Sequence, residues 1–138
     1  MSQVLVYSRG GNTRKLADAI AGELGVKAAD VKAASLDKGN GVLFLGSGCY
    51  AGKPGKGMMD FIEANDFKGR MVALFGTSAN GHGKQVGIME EALKQKGAKI
   101  LGSYESTGQF LMFIRRGHPN DEDVVGAKKF AGDLAKLG

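Results

Sequence analysis

The sequence of 138 residues has no tryptophan, two prolines and a single cysteine. Because there is only one cysteine, Cys49, an intramolecular disulfide framework is excluded. No cluster of histidine and cysteine has the spacing of a structural zinc site. We therefore expect a protein that holds no metal and that folds in a reducing compartment.

Long apolar runs are missing as well. No segment approaches the roughly 18 consecutive apolar residues that indicate a transmembrane helix. The start of the sequence lacks the basic region, the long apolar run and the small-residue cleavage site of a secretion signal. We expect a cytoplasmic protein without membrane insertion, folded as one domain over residues 1–138.

The charge balance is mildly basic, with 19 lysines and arginines against 14 aspartates and glutamates and a formal net charge of +5. Such a balance is compatible with nucleic acid, with another anionic partner or with no specific partner. Because no basic run carries interleaved aromatic residues, we expect no nucleic-acid binding.

Glycine is abundant, at 23 residues. Between the glycine-rich segments, apolar runs of strand length alternate with helical patterns, which predicts βαβ units and a parallel sheet covered on both faces. The predicted strands are 3–7, 26–31, 42–46, 71–75 and 99–105, and the predicted helices are 12–24, a short segment around 58–62, 84–96 and 121–137. The second strand is the weakest prediction, because two alanines and Lys27 dilute its pattern.

Three glycine-rich loops follow three of the predicted strands; we name them loop 1 (8–13), loop 2 (46–57) and loop 3 (76–83). The carboxyl ends of parallel strands share one edge of the sheet, and such folds bind ligands at this edge. Glycine also lets a backbone turn sharply and approach a ligand closely. The three loops together therefore predict a ligand site.

Loop 1 has the features of a phosphate site. It leads from a buried strand into an amphipathic helix, whose first turn offers free backbone N–H groups and the positive end of the helix dipole. It lacks the G-x-x-x-x-G-K-[ST] and G-x-G-x-x-G patterns, so the sequence does not favour ATP or an adenine dinucleotide as the ligand. Ser8, Asn12 and Thr13 add neutral donors that suit a terminal phosphate monoester. The structural alternative is an ordinary strand-to-helix turn with Asn12 or Thr13 as N-cap.

The sequence resembles the flavodoxin superfamily, in particular its short-chain members. The resemblance covers nearly the whole length, and loop 1 is its most specific motif. The residues that carry it are 4–17, 46–54, 73–78 and 117–123.

This resemblance implies an α/β fold, a three-layer α-β-α sandwich around a five-stranded parallel sheet of order 2-1-3-4-5. It also implies noncovalent FMN, with the phosphate on loop 1 and the isoalloxazine ring between loops 2 and 3. The candidate FMN-binding residues are Ser8, Arg9, Gly10, Gly11, Asn12 and Thr13 in loop 1, Gly48, Cys49, Tyr50, Ala51 and Gly52 in loop 2, and Thr77, Ser78, Ala79, Gly81 and His82 in loop 3.

Position 10 departs from the family loop, which is usually T/S-x-T-G-x-T. Ser8, Gly11 and Thr13 match it, whereas Gly10 stands where a second hydroxyl is expected. One lost neutral hydrogen bond is worth about 0.5–1.5 kcal/mol, or a few-fold to about tenfold in affinity. We expect this to weaken FMN binding without abolishing it.

Loops 2 and 3 would surround the flavin ring. Tyr50 is the candidate to stack on the ring, the alternative being an ordinary half-buried tyrosine at a strand end. Gly48 and Gly52 are both candidates for a peptide that turns its carbonyl toward flavin N5. Loop 3 has no aromatic residue, so the second face of the ring is either exposed or covered by His82, which would stabilise anionic reduced flavin when protonated. Cys49 is expected to be a small packed residue and not a redox thiol.

The function that the resemblance implies is electron transfer between redox partners through FMN. Two alternatives stay open: an FMN-dependent NAD(P)H reductase acting on a small substrate, and a binding module that has the fold without the cofactor. An electron carrier is favoured over an enzyme with its own substrate.

Basic residues at the ligand edge bear on the partner. They are Arg9, Arg14, Lys53, Lys56 and Lys84. They favour an acidic redox partner or an anionic substrate, with an attraction that falls as salt rises. The apolar segment 110–116 is either a continuation of the fifth strand or a packed loop, or else an exposed docking surface.

Overall fold

The computed structural model describes residues 2–36, 41–78, 84–107 and 121–137. In chain order their helices and strands are β1 (Gln3–Tyr7), α1 (Asn12–Leu24), β2 (Ala28–Asp30), β3 (Leu43–Gly48), α2 (Lys56–Ala64), β4 (Met71–Ser78), α3 (Lys84–Gln95), β5 (Lys99–Thr107) and α4 (Asp121–Ala135). The apolar segment 110–116, and residues 117–120 of the tail that carries part of the family resemblance, lie outside the described residues.

The strands form one five-stranded sheet in the order β2-β1-β3-β4-β5, and every neighbouring pair is parallel. β3 lies at the centre, where Leu45 pairs with Leu5 of β1 and with Leu74 of β4. The predicted fold class and strand order are confirmed. Because the strands are parallel, the loops that follow them emerge at a single edge.

Helices cover both faces of the sheet. Successive residues of a strand point to opposite faces, so Val4 and Val6 pack in one core cluster with α1 and α4, whereas Leu5 and Tyr7 pack in the other with α2 and α3. All residues of β3 are buried, as expected for a central strand covered on both sides. This explains the continuous apolar run by which the strand is predicted from the sequence.

Glycines flank helix α1 on both sides. Gly11 precedes it with a φ of 85°, and Gly25 follows it with a φ of 70°. The N–H of Gly25 turns back to the carbonyls of Ala21 and Gly22, which closes the last turn. Gly25 therefore ends the helix as predicted, and the bounds of α1 agree with the sequence pattern.

Strands β3, β4 and β5 continue beyond their predicted ends. Gly76, the first residue after the predicted end of β4, shows the reason, because a side chain at this position would collide with the Gln85 side chain and crowd the carbonyl of Ser47, its ladder partner on β3. This glycine serves close packing within the sheet and not a turn. The ladder continues to the pair of Gly48 and Thr77, so the polar ends of β3 and β4 lie within the sheet and not in loops.

The other differences from the predicted elements are small. β2 is limited to Ala28–Asp30 at the edge of the sheet, where the sequence pattern is weakest. Helix α3 ends at Gln95 and α4 at Ala135, slightly before their predicted ends. Within the described ranges, no helix has the length and apolar character needed to cross a bilayer.

Candidate functional site

The candidate site lies at the carboxyl edge of the sheet, where loop 1 follows β1, loop 2 follows β3, and β4 ends. The structure brings the predicted residues of loops 1 and 2 together there, beside Thr77 and Ser78. The remaining predicted residues of loop 3, Ala79, Gly81 and His82, lie outside the described part of the chain.

Loop 1 turns into α1 at Gly11, whose left-handed conformation glycine adopts without strain. Its N–H donates to Ser8 Oγ at 3.1 Å, and its carbonyl accepts the N–H of Lys15 at 3.0 Å. Gly11 is thus the N-cap, so the alternative that Asn12 or Thr13 caps the helix is wrong. The first N–H groups of an α-helix have no helical carbonyl to bind, and no acidic side chain lies in the first turn. These groups are therefore available as donors to an anion.

Thr13 and Thr77 join loop 1 to the end of β4. Their Oγ1 atoms are 2.6 Å apart, and both residues are buried. In such a pair one hydroxyl donates to the other, and the accepting hydroxyl keeps its own hydrogen for another partner. The pair therefore offers one further donor at the ligand edge.

Tyr50 of loop 2 lies against loop 1. Its hydroxyl accepts the backbone N–H of Arg9 at 2.9 Å, and the guanidinium carbon of Arg9 lies 4.6 Å from the centre of the Tyr50 ring. The ring also meets Tyr7 edge-on, with 5.8 Å between ring centres, while Arg9 Nε donates to the Tyr7 hydroxyl at 3.4 Å. Burial raises the pKa of Tyr50, so its hydroxyl stays protonated. Tyr50 therefore connects the predicted phosphate loop to the predicted ring-binding loop.

Loop 2 contains a two-residue turn. The N–H of Tyr50 donates to the Lys53 carbonyl at 2.8 Å, and the N–H of Lys53 donates to the Tyr50 carbonyl at 3.2 Å. Between them, Ala51 has a φ of 55° and Gly52 a φ of 80°, the left-handed pair that tight hairpin turns favour. For alanine this conformation costs about 1–2 kcal/mol. Strain of this kind is concentrated at functional sites, and here it lies at the candidate site.

The two glycines that are candidates for a turning peptide differ in their surroundings. Gly48 is the last residue of β3, and its carbonyl accepts a hydrogen bond from Ser47 Oγ at 2.8 Å. A side chain at Gly48 would also meet the hydroxyl of Tyr50. Gly52 lies in the partly exposed turn, where no hydrogen bond from a described residue reaches its carbonyl. Gly52 therefore has the freer peptide.

Two further residues, which are not among the predicted site residues, hold this edge together. Ser47 is fully buried, and while its hydroxyl donates to Gly48 it accepts the N–H of Gly55 at 3.0 Å. Gln85 of α3 is also fully buried, and its Nε2 donates to the carbonyl of Ser47 at 3.2 Å and to that of Thr77 at 3.0 Å. Together they fix the ends of β3 and β4, from which loops 2 and 3 begin.

The sequence contains a signal for one of the two. Gln85 lies four residues before Met89, so helical spacing places it on the buried face of α3. A buried amide on that face needs hydrogen-bond partners, and strand ends are the nearby source. Ser47 has no comparable signal in the sequence. Its hydroxyl binds the N–H of Gly55, and this contact exists only because loop 2 folds back onto the end of β3.

Glu105 brings a carboxyl group to the same edge. It lies on β5, paired with Gly76 of β4. Its carboxyl oxygens, Oγ of Ser78 and Oε1 of Gln85 are buried without a well-directed hydrogen bond from the described residues. Burial raises the pKa of Glu105 to about 7, and the neighbouring Ser78 hydroxyl lowers it by a smaller amount. The carboxyl is thus partly protonated at neutral pH.

Cys49 is a free, partly exposed thiol. In the described ranges, no three or more histidine, cysteine, aspartate or glutamate residues lie close enough together to hold a metal ion.

The donor set at this edge fits a phosphate group attached to a flat ring. Backbone N–H groups of the first turn of α1 and the spare hydroxyl of the Thr13–Thr77 pair are neutral donors of the kind that binds phosphate. A Cβ atom built on Gly10 or Gly11 would have nothing within 4 Å, so the surface of loop 1 is open to a ligand. Tyr50 adds an aromatic side chain at the border between loop 1 and loop 2.

Comparison with known proteins shows the family of the chain. A family model described as a flavodoxin domain matches residues 3–105. An uncharacterized protein of Methanocaldococcus jannaschii is 31% identical over an alignment of 136 residues, and the match covers 91% of each chain. A flavodoxin of Nostoc sp. is 30% identical over an alignment of 136 residues, and the match covers 88% of this chain and 75% of that protein.

Solved structures show the same fold. A flavodoxin from the domain Archaea superposes with a TM-score of 0.79 at 20% identity, covering 99% of this chain and 98% of that one. The oxidised flavodoxin 1 of Bacillus cereus superposes with a TM-score of 0.77 at 23% identity and the same coverage.

Proposed function

The chain belongs to the flavodoxin family, and we propose that it binds FMN noncovalently and transfers electrons between redox proteins. When bound, FMN supplies the one- and two-electron chemistry, while the protein supplies binding, orientation and electrostatics. The observation that carries the proposal is the open start of α1, with its free N–H donors, directly beside the aromatic side chain of loop 2.

The phosphate end of FMN is assigned to loop 1. The N–H groups of Asn12 and Thr13 lie in the first turn of α1, where the helix dipole favours an anion. The Thr13–Thr77 pair would donate its remaining hydrogen to a phosphate oxygen. Ser8 acts indirectly, because its hydroxyl accepts the N–H of Gly11 and so holds the turn in shape.

The ring end is assigned to the space between loop 2 and the end of β4. The Arg9 guanidinium lies over one face of the Tyr50 ring, so we assign the other face to the flavin, with the protonated hydroxyl at the tip of the ring. Gly52 is the better candidate for a peptide that reorients toward the flavin, because Gly48 is held in the sheet. Ala51 stores strain in the same turn, which reduces the free energy needed to change its conformation.

Charge at this edge favours electron uptake and an acidic partner. Because its pKa is raised to about 7, Glu105 adds less negative charge at neutral pH than an ordinary carboxylate. Lys53 and Lys84 are exposed and form no ion pair with a described residue. An acidic redox protein would be attracted to these side chains, chiefly at low ionic strength.

The test begins with a titration of the purified protein with FMN, followed by flavin fluorescence. Riboflavin, which lacks the phosphate, is the matched ligand. We expect FMN to bind at least about tenfold more tightly than riboflavin, since loop 1 contacts the phosphate alone. No FMN binding at tens of micromolar would overturn the proposal and favour a binding module without the cofactor.

A second measurement separates a carrier from an enzyme. The loaded protein is reduced stepwise without oxygen and followed by absorbance. Reduction in two separable one-electron steps supports electron carriage. Rapid bleaching by NAD(P)H, with turnover on an added acceptor, would contradict it in favour of a reductase.

A further inference from the structure

A hollow of about 470 Å³ lies beside Tyr50, on the side of the sheet that α2 and α3 cover. Its lining includes the apolar parts of Tyr50, Met59 and Ile88 and the cationic side chains of Arg9, Lys53 and Lys56. We name it the cationic hollow. Apolar lining with a few charged groups is the general character of binding sites.

The rim of the cationic hollow has one sign of charge. Among the residues that line it there is no aspartate or glutamate. Lys53 forms no ion pair with a described residue, and Lys56 pairs with Asp60 at 2.9 Å through side chains that are 86% and 60% exposed. Exposed pairs of this kind are worth less than about 1 kcal/mol. The ammonium group of Lys56 can therefore leave Asp60 and bind a carboxylate of another molecule at little cost in free energy.

Further cations extend the field beyond the rim. Lys84 lies next to Gly52, and the ammonium group of Lys32 lies 5.0 Å from the centre of the Tyr7 ring. The first turn of α2 contains no acidic side chain, so the positive end of that helix is not offset locally. Asp60 and Glu63 of α2 offset part of the positive charge near Lys56, so the cationic side chains that remain around Tyr50 are those of Arg9, Lys32, Lys53 and Lys84.

The floor of the hollow is apolar and accessible. Ile88 is 39% exposed although it is a large aliphatic residue, and Met59 is partly exposed next to it. Methionine adapts its shape to different partners, and apolar surface within a charged rim is typical of protein contacts.

We propose that the cationic hollow is the docking site of an acidic segment of a redox partner, which places an apolar side chain over Met59 and Ile88 and carboxylates on Lys53, Lys56 and Arg9. This inference rests on the proposed function. A partner held there contacts Tyr50, which also borders the site assigned to FMN, so docking brings the partner next to the flavin. The hollow is open to solvent, so a lone small anion would gain little there, whereas a segment with several carboxylates binds at several points.

The probe is a short synthetic peptide with one phenylalanine between paired glutamates, added to ¹⁵N-labelled protein and followed by NMR. We expect shifts at Lys53, Lys56, Met59 and Ile88, and an affinity that falls several-fold when ionic strength rises from about 0.01 to 0.15 M. The same peptide with lysines for glutamates should not bind, and the one with alanine for phenylalanine should bind more weakly.

The Lys53→Glu variant should bind the peptide about five- to tenfold more weakly, since an attraction becomes a repulsion. The matched control is Lys68→Glu, which changes the net charge equally on an exposed residue before β4, at the opposite edge of the sheet. Its effect should stay within about twofold. Equal losses in the two variants, or phenylacetate binding as tightly as the peptide, would overturn the proposed docking site.

FMN is titrated into the same proteins to separate the two proposals. Both proposals are supported if all three proteins bind FMN equally and only Lys53→Glu binds the peptide more weakly. Peptide binding by a protein that takes up no FMN would overturn the proposed function alone, and FMN binding without peptide binding would overturn the docking site alone.

Discussion

The hydroxyl of Thr13 lies 2.6 Å from the hydroxyl of Thr77, across 64 positions of the chain. One residue belongs to the first turn of α1 and the other to the end of β4. Because both are buried, the contact fixes the distance between the proposed phosphate loop and the strand that leads into loop 3. Stability and the proposed binding of FMN therefore involve the same pair.

Replacing Thr13 with valine should destabilise the fold by about 1–3 kcal/mol, because the buried Thr77 hydroxyl then has no partner. Urea unfolding of Thr13→Val, Thr77→Val and the double variant measures this. The double variant should lose clearly less than the sum of the single losses. Additive losses would show that the two hydroxyls do not interact.

Replacing Gly10 with threonine should tighten FMN binding by a few-fold to about tenfold, because it restores the hydroxyl of the family loop. A Cβ at Gly10 has nothing within 4 Å, so the free energy of unfolding should hardly change. The contrasting variant is Gly11→Ala. The φ of 85° at Gly11 disfavours a side chain, so this substitution should lower the free energy of unfolding by about 1–2 kcal/mol. Unchanged or weaker FMN binding in Gly10→Thr would mean that loop 1 differs from the family geometry.

The turn in loop 2 predicts opposite effects for two neighbouring substitutions. Ala51→Gly should raise the free energy of unfolding by up to about 1 kcal/mol, since glycine removes the strain of a φ of 55°. Gly52→Ala, at a φ of 80°, should lower it by about 1–2 kcal/mol. Thermal or urea unfolding of both variants provides the comparison, and a loss of stability in Ala51→Gly would contradict the turn described here.

Glu105 should make the protein less stable as pH rises. Its pKa is about 7 in the fold against 4.5 ordinarily, so between these values the folded state binds more protons than the unfolded state. The free energy of unfolding therefore falls as pH rises through this window. Because the residue is partly exposed, the expected total is only about 1–2 kcal/mol.

Urea unfolding of the wild type and of Glu105→Gln at several pH values tests this. The substitution should remove the fall in stability, whereas Glu91→Gln, an exposed change on α3, should retain it. Identical pH profiles for wild type and Glu105→Gln would show that this carboxyl does not titrate in the window.

The parallel arrangement of the sheet could be predicted from the sequence, because strands and helices alternate with clear periods, whereas the strand order was implied by the resemblance to the flavodoxin superfamily. β3 and α1 illustrate this, one by an unbroken apolar run and the other by helical spacing between two glycines. The ends of β3 and β4 could not be predicted. Glycine in a sequence indicates a turn, whereas Gly76 lies against the carbonyl of Ser47 and the side chain of Gln85, contacts that exist only after β3, β4 and α3 have packed together.

The location of the candidate site at the carboxyl edge of the sheet could be predicted from the sequence, whereas most of its side-chain contacts could not. Parallel strands place loops 1 and 2 at one edge whatever their side chains do. The direction of Tyr50 toward Arg9 depends on a turn at Ala51 and Gly52, and alanine gives no sign of a left-handed conformation. The spacing of Gln85 from Met89 indicates that Gln85 is buried, but its hydrogen-bond partners could not be predicted, because they are carbonyls at the ends of β3 and β4.

The hydroxyl of Ser47 holds both ends of the segment from Gly48 to Gly55, accepting from one end and donating to the other. The segment is therefore a closed loop anchored at one buried oxygen atom, and the positions of Tyr50, Ala51 and Gly52 relative to the end of β3 depend on that atom.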